Sequence, residues 1–175
     1  MFLMQTVALP MIAIVGHKNS GKTRLAERVI AAFSRDGLNV AAVKHASDEL
    51  GFDKPSKDSD RLRRAGATSV GLIAKSEVGF YTTRSPGTTE AWIEGVFRLM
   101  PVCPDLVVYE GYRGGPHPKI ECILDRSVRR PSLTAAEGLI AVVSDHAVHA
   151  DAPVLAHEPL DPILDLIWGA LPRLR

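Results

Sequence analysis

The apolar run Met11-Ile12-Ala13-Ile14-Val15 leads directly into Gly16-His17-Lys18-Asn19-Ser20-Gly21-Lys22-Thr23. These residues complete the spacing Gly-x-x-x-x-Gly-Lys-Ser/Thr of a phosphate-binding loop (P-loop). They do so in the setting the motif requires, with a buried strand before and a helix-forming stretch after. Glycine permits backbone dihedrals that other residues resist, so successive N–H groups can turn inward around a phosphate at the positive end of the following helix. Lys22 brings a mobile point charge to the outer phosphates and is the expected catalytic cation. The Thr23 hydroxyl is placed to ligate Mg²⁺. Gly16, His17, Lys18, Asn19, Ser20, Gly21, Lys22 and Thr23 are thus the expected nucleotide-binding set.

A P-loop commits the chain to alternating strands and helices, and the rest of the pattern agrees. Leu25, Ala26, Val29, Ile30 and Phe33 recur at helical spacing until Gly37 stops the helix. Val40 to Val43 reads as a parallel strand reached by a right-handed crossover, expected beside the P-loop strand. A polar loop runs to Lys57, a short helix follows from Asp58 to Ala65, and Ser69–Ala74 with Val78–Thr82 suggests an antiparallel hairpin. Thr88 or Thr89 can cap a helix carrying Trp92, Ile93, Val96, Phe97 and Met100. Asp105 to Glu110, Ile120 to Leu124 and Leu139 to Val143 are further strand candidates, and Pro159 to Leu171 reads as a closing helix. The expected fold is α/β: a three-layer P-loop NTPase fold, mainly parallel, with an antiparallel edge hairpin. Residues 11–175 read as one domain after a short N-terminal extension, residues 1–10.

With 175 residues of which 46% are hydrophobic, the chain can bury a sizeable core. A net charge of +1 gives no global argument for nucleic acid or an anionic membrane, so neither is an expected partner and any anion site must be built locally. Cys103 and Cys122 show no ligand or disulfide-scaffold spacing, which fits a reducing cytoplasm. No stretch reaches the ~18–20 apolar residues of a membrane span, and the first residues lack the layout of a signal peptide.

Mg²⁺ on a nucleoside triphosphate usually needs a carboxylate at the carboxyl end of a neighbouring strand. Glu110 meets that description, against the alternative of an ordinary strand-end carboxylate; Asp105 lies at the wrong end of the same strand. Lys44 and His45 end the second strand at the same edge. Lys57, Arg61 and Arg64 form a stripe at i, i+4 and i+7, either an anion-binding face or a solvated one. Asp53 and Asp58 in that segment could hold Mg²⁺ or position a water, and Asp58 could equally cap the helix. No Asn-Lys-x-Asp base-reading signature is present. Asp145 ends a late strand where a carboxylate could accept two N–H bonds from guanine, though Ser144-Asp145 also suits a simple turn. His146 and His149 sit in no clear helix that would make them a metal pair.

Together these residues resemble the molybdopterin-guanine dinucleotide biosynthesis protein B family. The matching pieces are Gly16 to Thr23, Val43-Lys44-His45, Asp53 to Ser59, Arg63 to Ala67, Asp105 to Tyr112, Lys119-Ile120-Glu121 and Ile140 to Asp145. The resemblance implies a cytoplasmic, usually dimeric, GTP-binding P-loop protein with weak GTPase activity. Such proteins assist a MobA-type guanylyltransferase, which joins the GMP part of GTP to molybdopterin. It further implies that Lys44, His45, Lys57 and Lys119 face nucleotide or pterin phosphate, with Asp58 and Arg61 in the same contact region. Thr23, Glu110 and Asp53 would be the metal residues, and Asp53 also a catalytic one. Three places depart from the family pattern: Ser47 and Asp48 stand where further histidines are common, Ser56 where glycine is common, and Tyr112-Arg113 replaces Phe-Lys. The last exchanges a compact ammonium for a planar fork. Two other functions use the same loop, an ATP-dependent small-molecule kinase and a metal-delivery GTPase. Scattered cysteines and histidines speak against the latter.

Overall fold

The computed structural model describes residues 9–45, 58–82, 89–98, 100 and 102–171. The chain divides into two compact units, Met1–Ala46 with Pro104–Arg175, and Ser47–Cys103. The first holds a six-stranded sheet in the order β2-β5-β1-β6-β7-β8. Its strands are β1 (Met11–Val15), β2 (Val40–Lys44), β5 (Leu106–Glu110), β6 (Lys119–Cys122), β7 (Leu139–Val143) and β8 (Val154–Leu155), and every pairing is parallel. Uninterrupted apolar runs such as Leu106-Val107-Val108-Tyr109 are what strands covered on both faces require.

One face of this sheet packs under α1 (Lys22–Arg35) and α4 (Asp161–Ala170). Leu25, Val29 and Phe33 of α1 meet Ile163 and Ile167 of α4 over Ile12, Ile14, Val108, Ile120, Cys122 and Val143. Phe33 and Trp168 add an edge-to-face ring contact at 5.2 Å. Alternation along each strand sends Tyr109, Lys119, Glu121 and Val142 to the opposite face. There, loops 111–118 and 125–137 lie against the strands, through His117 stacked on Tyr109, through the Lys119 ammonium donating to the Gly115 carbonyl and through the Glu121 carboxylate accepting from the Leu133 N–H.

The second unit contains α2 (Asp58–Arg64), β3 (Ser69–Ile73), β4 (Val78–Thr82) and α3 (Thr89–Arg98). The expected hairpin is present, but β3 and β4 form a two-stranded sheet of their own rather than the edge of the main one. The reason lies in the return of the chain. All five residues of β2 pair with β5, so the segment between them is an excursion, and β3 buries only Val70. Two expectations shift at strand boundaries. β6 ends at Cys122 rather than Leu124, and β8, with two residues after Pro153, was too short to be foreseen. No helix among the described residues is long and apolar enough to cross a membrane.

Phe33→Ala removes the largest α1 side chain from this core and is expected to lower unfolding stability by about 3–5 kcal/mol. Urea denaturation followed by circular dichroism measures it; a loss below about 1 kcal/mol would show that α1 is not held by this contact.

Candidate nucleotide-binding site

β1 ends in the centre of the sheet, and the chain turns there through Gly16 (φ 142°), Asn19 (φ 62°) and Gly21 (φ 87°) before α1 begins at Lys22. Gly16 lies so close to the end of β6 that a Cβ would meet the Cys122 carbonyl oxygen and Ser20 Oγ, each at 2.5 Å. No larger residue fits. Gly21 approaches Leu124 Cδ1 and His157 Nε2 at 3.1 and 3.6 Å from its Cβ position. α1 opens without a side-chain cap and without an acidic residue in its first turn. Gly21 at the cap position therefore offers the leading N–H groups no side-chain acceptor at the positive end of the helix. Ser20 Oγ is buried without a hydrogen-bond partner among the described residues. Lys22 Nζ donates to the His17 carbonyl across the loop, and Thr23 is exposed beside it. Amide donors, a cation and hydroxyls without a counter-charge make a receptor for an anion.

The strand beside β1 on one side is β5, not β2: β2 pairs with β5 alone, which corrects the expected adjacency. The correction brings Glu110 closer to the loop and puts Lys44 and His45 one strand further out. Glu110 is in register with Ile14 and with Lys44. Its carboxylate pairs with the Lys44 ammonium at 3.3 Å. Lys44 is mostly exposed, so the pair is worth only about 0–1 kcal/mol and does not lock Glu110 against another cation. His45 donates its N–H to the Glu110 carbonyl at 2.9 Å and stacks on Tyr112 at 4.8 Å. Gly111 is required between them, since a Cβ there would lie 2.8 Å from the His45 carbonyl oxygen. Thr23 and Glu110 supply hard oxygen donors of the kind Mg²⁺ takes together with substrate phosphates.

On the other side of β1, Asp145 follows β7 and is bound from within the chain. His157 N–H donates to its Oδ1 at 3.0 Å, and His157 Nδ1 lies 3.1 Å from Oδ2. The backbone bond is the main cause that holds the Asp145 carboxyl below the ordinary aspartate range. His157 was missed in the sequence because a lone histidine in a proline-bounded loop carries no spacing signal.

Lys119, expected at a phosphate, is instead 2% exposed, and its ammonium donates to the carbonyls of Gly115, His117 and Glu137 at 2.6–3.0 Å. Burial lowers its pKa. Facing a phosphate would require giving up all three bonds. Its strand neighbour Glu121 is equally buried and accepts from the N–H groups of Ser132 and Leu133. Arg113 in turn donates to Ser132 Oγ at 2.7 Å. These two buried charges hold the loops of the sheet's second face. Their sign in the sequence is the pair Lys119-x-Glu121 inside an otherwise apolar run.

In the second unit, Arg61 pairs with Asp58 at 3.4 Å, and Arg63 and Arg64 both pair with the buried Asp60 at 2.6 and 2.8 Å. The basic stripe is therefore balanced by carboxylates of its own helix. Arg63 also lies over the Tyr81 ring at 5.9 Å. Asp53 and Lys57 lie outside the described residues.

A parallel sheet with a glycine loop and helix after its central strand, and an acid at the end of the neighbouring strand, defines an α/β protein of the P-loop NTPase type. Solved structures share this fold. The crystal structure of Bacillus subtilis MobB aligns over 93% of this chain and 98% of its own with a TM-score of 0.69 and 23% identity. A MobB protein homolog from Bacillus stearothermophilus aligns over 94% and 99% with a TM-score of 0.67 and 22% identity. The family model of molybdopterin guanine dinucleotide synthesis protein B (MobB) matches residues 11–145, and the chain belongs to that family. Two relatives named molybdopterin-guanine dinucleotide biosynthesis adapter protein are similar over most of the chain. That of Escherichia coli K12 is 28% identical over 161 residues, 91% of either chain, and that of Haemophilus influenzae is 29% identical over 161 residues, 91% of this chain and 88% of its own.

Burial pushes the Cys122 thiol beside the loop up to about 12, so it stays protonated and shielded at neutral pH, whereas Cys103 is exposed. Iodoacetamide at about pH 8 is expected to alkylate Cys103 and to spare Cys122 until denaturant is added. Peptide mass spectrometry reads the two sites; rapid labelling of Cys122 in the native protein would mean that the β6 end does not stay packed on the loop.

Proposed function

We propose that this chain is a GTP-binding adapter in the formation of molybdopterin guanine dinucleotide, working with a MobA-type guanylyltransferase. The observation that carries the reading is the Gly16–Thr23 loop: uncapped amide groups, Lys22 and Thr23 at one point of the sheet edge, with Glu110 on the strand beside it. The triphosphate occupies that loop, and Lys22 exchanges the His17 carbonyl for phosphate oxygens. Thr23 and Glu110 would hold Mg²⁺, which would supply charge neutralisation for the phosphates. Hydrolysis is weak, with Lys22 its catalytic cation, and the output is a nucleotide-dependent interaction. Lys44 and His45, at the same edge, meet the phosphate of molybdopterin. The names of the relatives, adapter proteins of this biosynthesis, support a partner enzyme. The setting is the cytoplasm.

The chain works as a homodimer joined through β3 and β4. Each strand leaves one edge without a strand partner among the described residues, and Ile73 and Val78 at the tip are exposed at 86% and 78%. Open edges with exposed apolar side chains favour pairing with another chain.

Calorimetric titration with GTP and ATP, each with and without Mg²⁺, tests the nucleotide. GTP is expected to bind more tightly and to depend on Mg²⁺; a clear preference for ATP would move the reading to a small-molecule kinase. Lys22→Ala is expected to weaken GTP binding roughly ten- to a hundredfold, the worth of a bond to a charged group, with an unchanged circular dichroism spectrum. Undiminished affinity would sink the site. Val78→Lys is expected to halve the mass seen by light scattering, and an unchanged mass would remove the hairpin from the dimer.

A further inference from the structure

On the side of β1 away from Glu110, three elements converge on His157. Its backbone N–H donates to Asp145 Oδ1, and its Nδ1 lies 3.1 Å from Oδ2. Its carbonyl accepts from Arg28 of α1 at 2.7 Å, and the same guanidinium pairs with Glu158 at 2.7 Å. Its Nε2 lies 3.6 Å from the Cβ position of Gly21, the last glycine of the loop. The imidazole is therefore wedged between the phosphate loop and a carboxylate, both ring nitrogens shut off from solvent. The Asp145 side chain nevertheless keeps 57% of its surface exposed.

We propose that His157 is a positioning residue for base selection: it holds Asp145 so that the outward lone pairs of the carboxylate accept the N1–H and exocyclic N–H of guanine. This rests on the GTP-binding reading above. A carboxylate offers about four lone-pair sites, and His157 occupies at most one on each oxygen. The remaining pair matches the two parallel donors on the guanine edge. Adenine presents an acceptor nitrogen at the same place, which the carboxylate repels. An exposed aspartate after a strand otherwise samples several rotamers, and ordering it would draw on the binding energy; a carboxylate already held by its neighbour avoids that cost. Ionisation is secured by the same contact, since the His157 N–H favours the charged form. Leu124, 42% exposed and with its Cδ1 3.1 Å from the Cβ position of Gly21, supplies apolar surface for the purine at this rim. Phosphates in the loop, metal on the β5 side and base on the β7 side then use the two flanks of β1 for separate tasks.

The test is titration of the full chain in Mg²⁺ with GTP, ITP, XTP and tripolyphosphate. ITP lacks the exocyclic amine, and tripolyphosphate lacks the base. His157→Ala keeps the backbone bond to Asp145 Oδ1 and removes only the ring that confines Oδ2. It is expected to lower the GTP/ITP affinity ratio about three- to tenfold and to leave tripolyphosphate binding within about twofold. His157→Asn, whose side-chain amide can place a donor near the position of Nδ1, is expected to restore the ratio. Asp145→Asn, which folds independently of any change at His157, is expected to turn preference from GTP to XTP, because xanthine offers a carbonyl where guanine has the amine. An unchanged GTP/ITP ratio in His157→Ala overturns the proposal, as does an equal loss for all four ligands, which would mark His157 as merely structural. GTP preferred over XTP in Asp145→Asn overturns it too, with GTP binding intact. A wild-type chain that binds tripolyphosphate but does not prefer GTP to ATP overturns the GTP reading itself.

Discussion

The parallel pairing of β1 with β5 on one side and β6 on the other is the constraint from which the candidate site follows. A strand of five residues between two others has its carboxyl end fixed by both, and the loop that leaves it is walled before it begins to turn. On one wall the register sets Glu110 opposite Ile14, and Gly111 N–H bonds to the Ile14 carbonyl at 2.9 Å. On the other, Glu121 is opposite Val15, and the next residue, Cys122, presents its carbonyl to Gly16. A Cβ at Gly16 would force the loop off β6 and with it the start of α1. The glycine is thus required by the neighbouring strand as much as by any phosphate, a requirement that acts in the protein without ligand.

Burying Lys119 and Glu121 on β6 carries a desolvation cost of several kcal/mol per ion unless hydrogen bonds offset it. The structure offsets it three times for each. Lys119 gathers three carbonyls from two loops, and Glu121 gathers two N–H groups and a hydroxyl from residues 132–133. Where helices cover the first face with apolar contacts, charge-assisted bonds fasten irregular backbone to the second. Irregular segments have backbone polar groups to satisfy that a helix satisfies internally, so an ion on the strand is a suitable anchor for them and a methyl group would not be.

Motifs made of adjacent residues were legible in the sequence. Gly16 to Thr23, the strand ending in Glu110, the helix of Leu25, Val29 and Phe33, and the hairpin of Ser69 to Thr82 all rest on local spacing, and each takes its form locally. What the sequence concealed is relational. That β5 rather than β2 adjoins β1 depends on which strand the returning chain inserts, which no local pattern records. Lys119 reads as a surface cation by type, and its burial depends on carbonyls 2 to 18 residues away. His157 acquires meaning only when β7 and β8 pair and bring it to Asp145, a residue 12 positions earlier. The stripe of Arg61 and Arg64 was legible as a helix face, but Asp58 and Asp60, one turn back, decide that its charge is spent within the helix.

The carboxylates after β5 and β7 differ in what holds them. Glu110 is paired with a lysine whose flexible stem is mostly in water, and such a contact is exchanged for another cation at little cost. Asp145 is held by a backbone N–H of a segment that Arg28 ties to α1, and this contact persists because the backbone cannot swing away. An exchangeable partner suits a carboxylate that must accept a metal; a fixed one suits a carboxylate that must present a constant shape. Residue type does not separate the two, since both are carboxylates near the ends of parallel strands. The mobility of the partner does, and it follows from whether that partner is the tip of a long side chain or the main chain itself.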